Sequence, residues 1–109
     1  MGPSAALFAE RDPPTAILAA TDVLAMGIVF AAHSHGIAVP EALSVVGFDD
    51  IPLAAATSPG LTTVRMPIAA MAAAAIDIAI GVEPADGGPS IFSPELVVRR
   101  STGAAPAAA

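Results

Sequence analysis

The sequence predicts an α/β fold built on a parallel sheet, and three stretches carry that prediction. Thr15–Ala20 and Leu43–Phe48 are short apolar runs, the second rich in Val and closed near its end by Gly47. Runs of this length suit strands buried on both faces of a parallel sheet. Between them, Val23, Met26, Val29 or Phe30, and Ala32 or His33 follow helical spacing, and Gly36 is placed to stop the helix in a left-handed cap. Strand, helix and strand in that order make one right-handed βαβ unit.

The remaining elements follow in chain order. Ser4–Glu10 reads as two helical turns, which Asp12-Pro13-Pro14 ends, because Pro removes an amide donor and restricts the residue before it. Asp22 stands where an N-cap is expected, with the helix running from about Val23 to His35. Pro40-Glu41 makes a turn before the second strand, which ends at the paired carboxylates Asp49-Asp50. Residues 51–60 read as an Ala-rich loop, and Leu61–Val64 as a short extended segment. Pro67 fits the first position of a helix that runs to about Ile80 and is capped by Gly81. Residues 82–90 read as a loop, Ile91-Phe92 and Glu95–Arg99 as extended segments, and 101–109 as a disordered tail.

Composition excludes several functions. The 109 residues allow one small domain, and 27 of them are Ala, which raises hydropathy while supplying little volume for a core. Charged residues make up only 13%, so some apolar surface is expected to need a cover. The net charge of −6 and the absence of Lys argue against direct nucleic-acid binding, which depends on Lys and Arg neutralising phosphates. Without Cys there is no disulfide, thiolate catalysis or Cys-based zinc site. The most apolar window, Pro67–Val82, is mostly Ala and carries Asp77, so no membrane span is expected.

The constellation that could carry chemistry is Asp49-Asp50 together with Thr21-Asp22. Both pairs fall at carboxyl ends of predicted strands, where open α/β sheets bind ligands. Asp22 reads first as a helix cap and Asp50 as a loop cap, which leaves Asp49 as a hydrogen-bond acceptor for a polyol's hydroxyls. Three carboxylates could also suggest a magnesium-dependent phosphoryl-transfer pocket, but such pockets use a Lys that this chain lacks. His33 and His35 are two apart, do not share a helix face, and suit the negative end of the helix dipole. Arg65, Arg99 and Arg100 read as ion-pair partners, with Arg65 nearest the crevice. Ser44 and Ser58 have no neighbouring His and no nucleophile elbow, so no catalytic residue, metal or cofactor is expected, and the chain does not read as an enzyme.

Four segments in series resemble one family. Pro14–Asp22 with Ala25-Met26-Gly27 resembles the stretch P-T-A-I-x-A-x-N-D-x-x-A-x-G of the LacI/GalR transcriptional regulators. Val39-Pro40-Glu41 and Leu43–Pro52 resemble their V-P-x-D-[IV]-S-V-V-G-[FY]-D-D-I-P, Leu61–Pro67 their L-T-T-V-x-x-P, and Leu96–Thr102 their L-V-x-R-x-S-T. The resemblance implies a periplasmic-binding-protein-like (type I) fold, here incomplete. Such a regulator has a DNA-binding helix-turn-helix, absent from this stretch, and a two-lobed core that takes a small effector, often a sugar. Residues 1–63 would then be part of the C-terminal lobe, and 64–100 a crossing helix and strands that pack on an N-terminal lobe. By the same resemblance Asp49 is an effector-contacting acid. Thr21 holds an effector-contacting position that is usually Asn, Asp22 and Asp50 are supporting residues, and Met26, Ile51, Leu53 and Thr57 are contacts to a second subunit. The implied protein is cytoplasmic and a homodimer or higher oligomer, with a sugar-like effector and no membrane partner. The rival reading is a periplasmic sugar-binding protein of a transporter, which shares the fold.

Overall fold

A computed structural model describes residues 2–82 and 87–107. The elements run α1 (Pro3–Phe8), β1 (Ala16–Leu18), α2 (Asp22–Ser34), β2 (Ser44–Val46), α3 (Pro52–Ala56), β3 (Thr63–Arg65), α4 (Ile68–Ala79) and β4 (Glu95–Val97).

The expected βαβ unit is present. β1 and β2 pair in parallel with Ile17 opposite Val45, and α2 makes the crossover. The chain before β3 adds a third parallel rung through Val46 and Thr62, and the Gly47 amide donates to the Thr62 carbonyl at 2.9 Å. The core lies beneath this sheet: Leu43, Val45 and Leu61 are fully enclosed with Ala25, Ala32 and Ala54. Alanines at the contact let α2 and α3 approach the sheet closely, so their small volume is used where elements meet. Gly36 takes φ 71° and ends α2 as expected.

Three expectations are corrected. The stretch 51–60 is not all loop, because Pro52 opens the five-residue helix α3. Ala54 of that helix is buried, its carbonyl accepts from the Leu61 amide at 2.9 Å, and the Thr57 hydroxyl donates to it at 3.1 Å. Ala has the highest helix propensity, so a run of three needs only these anchors. Second, the cap of α2 is Thr21: its hydroxyl accepts from the Leu24 amide at 3.2 Å, while Asp22 is already helical and buried. Third, Ser101, expected to open a disordered tail over 101–109, belongs to the folded unit. Ser101 is wholly buried, its hydroxyl donates to the Val45 carbonyl at 2.6 Å and accepts from the Thr62 amide at 2.8 Å, and the Val45 amide donates to its carbonyl. The polarity that suggested a tail serves instead to fill rungs of the sheet.

Residues 64–82 and 87–98 form an arm of different character. β3 and β4 pair antiparallel, with Val64 opposite Leu96, and α4 connects toward them without burying any residue. The radius of gyration is 18.0 Å and the extents are 56 × 25 × 24 Å. A compact domain of this length would have a radius near 13 Å. The accessible surface is 7147 Å², against about 5,500 Å² expected for a compact monomer of this mass. Exposed apolar side chains of the arm, Ile68, Ile76, Ile78 and Leu96 among them, contribute to the excess.

Candidate ligand site at the strand ends

The parallel strands deliver their following residues to one edge. The Asp22 amide donates to the Phe48 carbonyl at 3.0 Å, so the two acidic pairs predicted from sequence are brought side by side. They then take different roles.

Asp22 is the internal brace. Its Oδ2 accepts from the Ile51 amide at 2.8 Å, and its Oδ1 accepts from the Thr63 hydroxyl. One carboxylate thus joins α2, the corner after β2, and β3. It reaches this position because residue 47 is Gly: a Cβ there would collide with Asp22 Oδ1 and lie 3.1 Å from Asp22 Cα.

Asp50 is the outer brace. Its Oδ2 accepts from Arg65 Nε at 2.7 Å and its Oδ1 from Arg99 Nη2 at 2.8 Å. Arg99 also donates through Nη1 to the Leu61 carbonyl at 2.9 Å, and Arg65 Nη1 lies 3.5 Å from Glu95 Oε2. The hydrogen bond from Arg65, and then that from Arg99, hold the Asp50 carboxyl below the usual carboxylate range, against the opposing effect of partial burial. The expected ion-pair role therefore falls on Arg65 and Arg99, and Arg99 is the more enclosed of the two.

Asp49 lies between the braces. Its backbone has φ 120° and that of Asp50 has φ 56°, both in the region L-residues rarely adopt. Such a conformation persists only where surroundings enforce it. Here three successive amides do so: Asp49 N donates to the Val64 carbonyl at 3.0 Å, Asp50 N to the Thr63 hydroxyl at 3.4 Å, and Ile51 N to Asp22. The Asp49 carboxylate is exposed and has no hydrogen-bond or ion-pair partner among the described residues, while both neighbouring acids are engaged. Phe48, the preceding residue, keeps 39% of its surface open. Thr21 stands at the same edge, its hydroxyl turned to the start of α2.

The residues expected at a subunit contact divide. Met26 and Thr57 line one open apolar hollow of about 210 Å³ with Val29, Phe30, Pro59 and Leu61. Leu53 is 57% exposed on α3, whereas Ile51 leans on the core. His33 borders the same hollow, and His35 turns Nδ1 to the Ala31 carbonyl at 2.8 Å. Among the described residues, no three His, Asp or Glu side chains gather as a metal site, and no helix is long and apolar enough to cross a membrane.

Sequence reasoning missed Thr63 and Gly47 as site-forming residues and read Arg99 only as an ion-pair partner, not as one beside the site. Thr63 is wholly buried and links both braces, as acceptor to one and donor to the other. Its signal was a polar residue inside a β-branched run, which reads equally well as ordinary strand.

Comparison with known proteins places the chain in a family. A model of the periplasmic binding protein-like domain matches residues 2–102. The HTH-type transcriptional regulator MalR of Streptomyces coelicolor is 50% identical over 95 residues, covering 84% of this chain and 28% of its own length. The chain thus spans under a third of that relative. A sugar-binding LacI-family transcriptional regulator from Escherichia coli, solved with phosphate, superposes with a TM-score of 0.68 at 40% identity, over 80% of this chain and 32% of its own. A LacI-family regulator from Arthrobacter, solved with lactose, gives a TM-score of 0.77 at 30% identity, over 92% and 39%.

Proposed function

The chain belongs to the periplasmic binding protein-like domain family in the form carried by LacI/GalR regulators, and from that premise we propose that it is part of a regulator's effector-binding and dimerisation domain. The effector is a sugar-like small molecule, and the reading is non-enzymatic. One observation carries it: among the described residues Asp49 is an unpaired carboxylate on an enforced backbone corner, at the carboxyl edge of a parallel sheet. An ionised carboxylate accepts hydrogen bonds and donates none, so it matches the hydroxyl donors of a sugar. The open face of Phe48 suits the apolar face of a pyranose ring. Thr21 can add one hydroxyl at the same edge.

Closure of the site falls to a second lobe that covers the arm, and the apolar surface of α4 is the face it covers. Effector contacts that favour the closed state then shift a two-state equilibrium in the whole regulator. Met26, Thr57 and the exposed Leu53 form the contact to a second subunit. The whole regulator works in the cytoplasm, on DNA bound by a headpiece outside the matched region. The names of the relatives favour this reading over the transporter protein.

The test is a chimera in which residues 14–102 replace the matching stretch of MalR. Glucose, sucrose and lactose are titrated by calorimetry, with operator release as a second readout. The intact chimera should respond to at least one sugar. Asp49→Asn should weaken that response by about 10-fold or more, the loss of a charge-assisted hydrogen bond, without changing dimerisation. A folded chimera that responds equally well with Asp49→Asn would remove the basis of this reading.

A further inference from the structure

We propose that Asp50 is the positioning residue that fixes the arm against the parallel-sheet unit, and so sets the mouth of the site at Asp49. The inference rests on the site reading above for the meaning of that mouth, but its geometry is independent of any ligand.

Two connectors join the arm to the sheet. One is Leu61–Arg65, which leaves the sheet at Thr62 and becomes β3. The other follows β4 and returns through Arg99 to the buried Ser101. Asp50 reaches both, with one oxygen on Arg65 at 2.7 Å and the other on Arg99 at 2.8 Å. Arg99 extends the link, because its second nitrogen donates to the Leu61 carbonyl on the opposite connector at 2.9 Å. The Arg99 amide donates to the Thr62 hydroxyl at 2.9 Å as well. The two connectors are therefore tied to each other and, through one carboxylate, to the corner that carries Asp49.

The other ties at this corner, the Asp49 amide on the Val64 carbonyl at 3.0 Å and the Thr63 hydroxyl on Asp22, reach only the first connector. α4 buries no residue, so packing does not fix its direction. The Asp50 side chain is 9% exposed and that of Arg99 19%, which shields this link from solvent, whereas Arg65 is half exposed and its bond is more open to water. The positive φ of Asp50 sends its side chain away from the path a β-conformation would give it. A residue held there against its backbone preference points to a use for its side chain.

The chain has no Cys, so paired spin labels can be placed on it without removing native thiols. Ser34→Cys on α2 and Ala73→Cys on α4 report the distance between the sheet unit and the arm by pulsed electron paramagnetic resonance. The otherwise unaltered chain should give one narrow distance band. Asp50→Asn should broaden it while the far-ultraviolet circular dichroism keeps its shape. Arg99→Lys keeps the charge but cannot span Asp50 and Leu61 together, and should also broaden the band, more than Arg65→Lys. Asp49→Asn should leave it narrow. If Asp50→Asn and Arg99→Lys both retain the narrow band, or Asp49→Asn broadens it equally, the proposal is overturned. No sugar enters this experiment, so a failure here is distinct from a failure to bind effector.

Discussion

Leu43 and Val45 in the parallel-sheet unit keep 1% and 0% of their surface exposed, while Ile76 and Ile78 on α4 keep 61% and 58%. The side chains are of similar kind, and only the surroundings differ. In the sheet unit, apolar strands meet two helices whose contact positions are Ala, and the polar residues that enter are bonded on arrival: Asp22, Thr63 and Ser101. In the arm, a helix of 12 residues meets nothing that encloses it. Isolated helices of that length are marginal in water even when Ala-rich. Burial in this chain therefore depends on the partner available to each residue, and α4 finds none among the described residues.

Substitutions should divide along the same line. Leu43→Ala removes enclosed volume and should cost about 2–5 kcal/mol in denaturant unfolding followed by circular dichroism. Ile76→Ala should change it by less than about 0.5 kcal/mol. Equal costs would mean that α4 is packed in solution. Next comes Gly47→Ala. Its Cβ would strike the buried Asp22 carboxylate, so a loss of about 1–3 kcal/mol is expected, although the substitution adds one methyl to a strand end.

Acid gives the smallest effect and acts on the join between the regions. The Asp50 carboxyl is held below its ordinary value of about 3.9, chiefly by Arg65 and then by Arg99. Glu95 faces it across Arg65, and Asp22 across Thr63. A depressed carboxylate contributes stability that is present above its unfolded-state value and disappears as pH falls through the folded one. The melting temperature should therefore fall below pH ~4, and less steeply in Asp50→Asn, as a pH series of thermal scans would show. A fall of the same size in both proteins would assign the loss to other acids.

Much of this was legible in the sequence. Apolar runs gave the βαβ unit, and Gly36 gave the end of α2, because these signals are local. Series of matching residues, more than any single motif, gave the family. The roles of the acids were less legible. Asp22 resembled a cap because the residue before a helix commonly is one, yet Thr21 took that place and freed Asp22 to turn inward. Ser101 looked like the start of a tail because its neighbours are small and polar, and only the gap between Val45 and Thr62 shows why a hydroxyl belongs there. Arg99 was one of three similar arginines until the fold placed it beside Asp50. In each case the deciding partner is distant in sequence, by 29 residues between Asp22 and Ile51 and by 49 between Asp50 and Arg99.

The division between an enclosed sheet unit and an uncovered arm is tested most directly by amide hydrogen exchange, resolved by residue, on the chain as it stands. The amides of Val45, Gly47, Asp49 and Ile51, bonded to Ser101, Thr62, Val64 and Asp22, should exchange slowly and together, near the global unfolding limit. Those of residues 72–79 in α4 should exchange far faster, protected only by local helix hydrogen bonds that fraying opens. Slow exchange in α4 matching that of Val45 would contradict the account, because the arm would then be covered within this chain.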